Sequence, residues 1–137
     1  MRSYAVAGAG AVGSALAAYL ARRGHPVLIV GRKRHVQAIR KQGGLRVVCP
    51  AESFLAEVEA RTSPPTRLPD DTILFLTVQA PDVLSALHPW TRLGPERPVV
   101  TWQNGVRAEA TAHSLFETVY GGIVRFTATV LEPGEVR

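Results

Sequence analysis

Residues 4–24 read YAVAGAGAVGSALAAYLARRG. With Ser3 before it, the stretch Ser3 to Ala7 (SYAVA) carries no charge and reads as a short buried strand. Gly8, Gly10 and Gly13 then fall in the spacing G-x-G-x-x-G, and an alanine- and leucine-rich run continues to Arg22 and Arg23. Basic residues in the last turn, Gly24 and then Pro26 are helix-stop signals. Strand, glycine turn and helix in this order open a dinucleotide-binding βαβ unit. In such a unit the first glycine permits the tight turn, the second lets a diphosphate approach the backbone, and the third lets the helix pack on the strand. Free N–H groups at the helix start and the positive end of its dipole hold the diphosphate. Gly8, Ala9, Gly10, Ala11, Val12 and Gly13 are therefore the expected cradle.

Working outward, Val27 to Val30 (VLIV) is a second continuously apolar strand, ending in Gly31-Arg32-Lys33-Arg34. A site for NAD usually places Asp or Glu here to accept hydrogen bonds from the ribose hydroxyls. No acid is present, and a guanidinium can grip a 2′-phosphate with paired hydrogen bonds. The expected ligand is NADP(H), with Arg32 as first contact and Lys33 or Arg34 in support; FAD fits less well, since its sites also tend to keep the acid. The competing reading is a surface basic run opening a helix over Arg34–Gln42, the end at which the helix dipole disfavours cations.

Further along, Leu45–Val48 and Glu57–Thr62 read as strands of an excursion, and Ser63–Pro69 as a proline-rich loop. Ile73–Val78 and Val99–Trp102 read as central strands, with a helix from Pro81 to Trp90 between them. A helix over Val106–Phe116 precedes strands at Thr118–Arg125 and Ala128–Leu131 and a turn at Pro133-Gly134. Strands alternating with helices predict an α/β fold, a Rossmann-type doubly wound, mostly parallel sheet with helices on both faces. Ligands of such sheets bind beyond the carboxyl ends of the strands. Val78, Gln79 and Asn104 fall at those ends, although Gln79 also reads as a polar strand cap and Asn104-Gly105 as an ordinary turn pair.

Taken in order, Gly8–Gly13, Gly31-Arg32, Thr77-Val78-Gln79-Ala80, Trp102-Gln103-Asn104-Gly105-Val106 and Glu132-Pro133-Gly134-Glu135-Val136 resemble the ketopantoate reductase (2-dehydropantoate 2-reductase) family across the whole chain. The resemblance implies hydride transfer from NADPH to the ketone of ketopantoate, a 2-keto acid, in pantothenate biosynthesis. It implies that Asn104 lies by the nicotinamide ribose and the substrate in a supporting catalytic role, and that Ala128 lies near the cofactor. Two departures stand out. Gln79 replaces a lysine usual in the family, and the family's general-acid lysine and substrate residues lie on a C-terminal helical domain with no counterpart in these 137 residues. The expectation is a dinucleotide-binding domain over residues 1–137 that is not catalytic alone. The alternative is a non-catalytic NADP-binding or sensing module, which Gln79 favours.

Composition narrows the other classes. Hydrophobic residues at 46% and charged residues at 20% are the mix of an ordinary globular domain, expected here in the cytoplasm. No apolar run reaches the roughly 20 residues a membrane span needs. The net charge of +5 suits an anionic ligand, and without a long basic helix or RNP-like aromatics no nucleic-acid partner is expected. Cys49 as sole cysteine excludes an internal disulfide and a cysteine-rich zinc site, and reads as a small core residue. His25, His35, His88 and His113 are scattered, so no metal site is expected; Ser14 reads as an ordinary helix serine, and Trp90 and Trp102 as packing residues. A dinucleotide-binding half alone would expose an apolar face and so favour a homodimer.

Overall fold

The computed structural model describes residues 2–77, 83–102, 110, 112–122, 128 and 130–137. β1 (Tyr4–Ala7) leads through the glycine turn into α1 (Ala11–Arg22), β2 (Val27–Val30) and α2 (Lys33–Gln42). A hairpin of β3 (Leu45–Val48) and β4 (Ser53–Ala56) follows, then β5 (Glu59–Arg61) and β6 (Ile73–Leu76). After α3 (Val83–Leu87) and a 3-10 segment (His88–Leu93) come β7 (Val99–Trp102), β8 (Val119–Gly122), β9 (Val130–Glu132) and β10 (Glu135–Val136).

Six strands form one sheet in the order β5-β2-β1-β6-β7-β8, every described pairing parallel. Renumbered within that sheet, the order is 3-2-1-4-5-6, the doubly wound arrangement of dinucleotide-binding folds. The chain reverses direction of travel across the sheet between β1 and β6, which creates a crevice at their carboxyl ends.

Period-two alternation sorts the buried side chains onto two faces. Val6, Val27 and Ile29 join one core with Ala17 and Ala18 of α1, Val36 and Ile39 of α2, and Leu45, Val47 and Val136. Ala5, Ala7 and Leu28 join the other with Leu74, Leu76, Leu87, Trp90, Val99, Ala112 and Phe116. The expected α/β class, with helices on both faces, is thus present.

The excursion differs from its expected form. β3 pairs antiparallel with Ser53–Ala56, not with the Glu57–Thr62 strand that the sequence suggests. Glu59–Arg61 instead pairs parallel with β2 as the edge of the main sheet. Ser53 and Leu55 face outward on β4, so this strand carries no clean apolar alternation to announce it. A second sheet, β4-β3-β10-β9, results, in which the Pro133-Gly134 turn joins β9 to β10 and β10 pairs parallel with β3. Cys49 sits half-buried in the β3–β4 loop rather than inside a strand, its Sγ 3.5 Å from the Tyr19 hydroxyl.

Candidate functional site

The glycine turn lies at the crevice between β1 and β6. Gly8 has φ +118°, a conformation that glycine adopts without strain. Gly10 is the N-cap of α1 with φ −77°, and the first intrahelical bond runs from the Ser14 N–H to the Gly10 carbonyl, 2.9 Å. The N–H groups of Ala11, Val12 and Gly13 precede that bond and have no intrahelical acceptor. The first turn of this helix carries no acidic residue.

The remaining glycines explain each other. A Cβ on Gly13 would collide with the Gly8 carbonyl and Thr77 Oγ1, so α1 can pack this low on β1 and β6 only with glycine there. A Cβ on Gly31 would collide with the Cβ of Ala9, so the glycine turn rests directly on the end of β2. At Gly10 nothing lies within 4 Å of where a Cβ would stand. Neither backbone angle nor packing therefore requires glycine at position 10, whereas a ligand approaching the backbone from the cleft would. Thr77 pins the turn: its hydroxyl donates to the Gly8 carbonyl at 2.7 Å.

The cleft has a volume of about 1100 Å³ and includes Gly8–Val12, Gly31, Arg32, Arg34, Thr77 and Ala128 in its lining. Arg92 also lines it, donating to the Pro64 carbonyl at 3.1 Å. Its described lining carries three arginines against one carboxylate, Glu132. Arg32 is the N-cap of α2 with extended backbone, and Arg32 and Arg34 are exposed. Both ion pairs among the described residues, Arg22–Glu52 and Arg61–Glu59, lie elsewhere, which leaves Arg32 and Arg34 available to an anion.

Of the expected site residues, the structure gathers Gly8, Ala9, Gly10, Ala11, Val12, Arg32 and Ala128 around this cleft, with Gly13 packed beneath the turn. α2 begins at Lys33, one residue earlier than expected, and Lys33 does not line the cleft whereas Arg34 does. Val78, Gln79 and Asn104 lie outside the described residues. Among the described residues no group of three metal-ligating side chains occurs.

Sequence reasoning missed three features. One is Thr77, whose only signal is a hydroxyl closing an apolar strand next to β1. The second is a buried polar chain. Ser14 is fully buried and His35 nearly so, and their Oγ and Nε2 lie 2.9 Å apart. Ser14 neither caps the helix nor faces the cleft as a free hydroxyl. His35 shares the inward face of α2 with Val36 and Ile39, and burial holds its pKa below the ordinary imidazole value. The third is Arg92, which no motif marks.

A smaller cleft of about 560 Å³ lies at the opposite, amino edge of the sheet, lined by Ser3, Tyr4, His25, Pro26, Leu68 and Thr72 among others. It faces Gly24, where α1 ends and presents carbonyls, so the helix dipole there disfavours an anion. The larger cleft is the stronger candidate.

The family model of ketopantoate reductase PanE/ApbA matches residues 4–137. The 2-dehydropantoate 2-reductase of Pyrococcus horikoshii is 32% identical over 131 residues, 96% of this chain and 42% of that protein. The crystal structure of a PanE/ApbA family ketopantoate reductase from Ralstonia eutropha JMP134 superposes with a TM-score of 0.90 at 33% identity, over 98% of this chain and 45% of that one. A ternary structure of D-mandelate dehydrogenase with NADH and anilino(oxo)acetate superposes at 0.85 with 26% identity, over 98% and 44%. This chain belongs to the ketopantoate reductase family, and it spans less than half the length of these relatives.

Proposed function

We propose that this chain is the NADP(H)-binding domain of a cytoplasmic 2-keto acid reductase acting on ketopantoate or a close analogue. The observation that carries the reading is the cleft at the β1/β6 crevice. There the open backbone at Gly10 and the uncapped start of α1 stand beside arginines that follow an acid-free β2. These residues fit a dinucleotide. The N–H groups of Ala11 and Val12 would take its diphosphate, and Arg32 and Arg34 would take a 2′-phosphate. Bound there, the cofactor supplies hydride. The chain's own part is to fix it, through Gly8–Gly13 below and Ala128 at the wall.

Ketone reduction also needs a proton donor for the developing alkoxide and a site for the substrate carboxylate. We assign Asn104 a supporting role beside the nicotinamide ribose, and Val78 and Gln79 a cofactor contact at the end of the strand before them. The proton donor we assign to chain beyond the span shared with the longer relatives. Family membership and the resemblance at Asn104 support this division of labour.

NADH is the second reading, favoured by the NADH-bound relative. Calorimetric titration separates the two. The expected result is preference for NADPH over NADH by about 10- to 100-fold, the worth of a charge-assisted hydrogen bond of about 1.5–3 kcal/mol. Arg32→Ala should abolish that preference while leaving NADH affinity within about threefold. Equal affinities in the wild type would remove the NADP assignment. No binding of either nucleotide would remove the reductase reading.

A further inference from the structure

His35 links two parts of the cleft that are far apart in sequence. The Gly134 N–H donates to His35 Nδ1 at 2.8 Å, so Nδ1 carries a lone pair and the single ring proton of the neutral imidazole sits on Nε2. Nε2–H then donates to Ser14 Oγ at 2.9 Å, and the Ser14 hydroxyl is left to donate to the Ala9 carbonyl at 3.3 Å. Every member has one donor for one acceptor, and the chain runs from the β9–β10 turn to the middle of the glycine turn.

Both ends are rigidly placed. Gly134 has φ +82°, its carbonyl accepts from Gln42 Nε2 at 2.7 Å and from the Arg46 N–H at 3.0 Å, and a Cβ there would press on Gln42 and Ala38. The segment entering this turn contributes Ala128, Glu132 and Pro133 to the cleft wall. At the other end Ala9 rests on Gly31, next to Arg32.

We propose that His35, as its neutral Nε2–H tautomer, is a positioning residue for the nucleotide: it locks the C-terminal wall of the cleft to the glycine turn, and protonating it loosens both and lowers nucleotide affinity. The proposal rests on the NADP(H) reading of the cleft. A second proton can go only on Nδ1, where it would face the Gly134 N–H, donor against donor. Gln42 and Arg46 hold the turn in place, so the ring must withdraw, and the bond to Ser14 goes with it. Burial already disfavours the cation. Titratable groups on the packed elements are Tyr19, Arg22 and Arg23 at the far end of α1, Arg46 on β3, Glu59 and Arg61 on β5, Glu132 and Glu135 on β9 and β10, and Arg32, Lys33, Arg34, Arg40 and Lys41 at or within α2. None contributes a resolved shift at His35, where burial is the cause of the displacement.

The test is NADPH affinity as a function of pH from 5 to 8, for wild type, His35→Gln, His35→Leu and Ser14→Ala. The 2′-phosphate titrates near pH 6 by itself, so the readout is the difference between proteins. Glutamine can accept from the Gly134 N–H and donate to Ser14 without titrating. His35→Gln should therefore bind within about threefold of wild type at pH 7.5 and lose several-fold less affinity than wild type on going to pH 5. His35→Leu and Ser14→Ala should bind at least fivefold more weakly at pH 7.5, with thermal unfolding confirming the fold. If His35→Gln keeps the full acid-side loss of the wild type, or His35→Leu and Ser14→Ala bind normally, His35 does not position the site. A wild type that binds no nucleotide at any pH removes the cofactor reading itself, a different result from a variant that fails to differ.

Discussion

Gly10 and Gly13 stand three residues apart in one motif under opposite constraints. A side chain on Gly13 would enter the Gly8 carbonyl and Thr77, whereas one on Gly10 would point into open cleft. Gly13→Ala should cost about 1–3 kcal/mol, as overpacking does, measured by urea unfolding. Gly10→Ala should change stability by less than about 0.5 kcal/mol yet weaken nucleotide binding at least tenfold. Loss of stability at Gly10 with binding intact would reverse the assignment. Thr77→Val keeps the shape and removes the hydroxyl bond to the Gly8 carbonyl; about 1 kcal/mol of stability should go with it. That the glycine turn and Arg32 meet at one cleft was legible in the sequence, because they lie along one continuous strand–turn–helix–strand segment. The His35 chain was not, since its partners are 21 and 99 residues away and only folding brings them together.

At the scale of elements, β1, β2, β6 and β7 are legible because both their faces are covered and the apolar run is unbroken. β4 has two outward residues in four, and β10 is two residues long, so neither rises above the loop pattern around it. The register of β10 against β3 depends on the Gly134 clamp rather than on its own sequence. Trp90 of the 3-10 segment is 2% exposed and belongs to the second core while also lining the cleft. Trp90→Ala should cost about 3–5 kcal/mol, read as a lowered urea midpoint, and should loosen the cleft wall it supports. Arg97 ties loops at the amino edge of the sheet. Its Nη1 donates to the carbonyls of Pro69 and Thr72 at 3.0 and 3.1 Å, tying the loops that feed β6 and β7.

Across the whole molecule, the buried imidazole links pH to folding. The His35 pKa in the folded protein lies below its value of about 6.5 in an unfolded chain. The unfolded chain therefore takes up the proton first, and this contribution to stability is complete above pH 6.5 and is lost as pH falls through 6.5 toward the folded value. Thermal unfolding should show a lower midpoint at pH 5.5 than at pH 7.5, and His35→Gln should flatten that difference. Ligand linkage gives a second global readout. NADPH at one hundred times its dissociation constant should stabilise the fold by about 2.7 kcal/mol. The doubly wound topology was legible at this scale because strand, helix and loop alternate along the chain. The second sheet was not, because it joins β3 and β4 to β9 and β10, which lie far apart along the chain.

The most direct measurement follows backbone amide shifts of isotopically labelled protein during titration with NADPH. The largest saturable shifts are predicted at Ala9 to Gly13 and at Gly31 to Arg34, the turn and the strand end that meet in the cleft. Shifts centred instead on Ser3, His25 and Leu68 at the amino edge of the sheet, or no saturable shift at all, would contradict a cofactor site at the β1/β6 crevice.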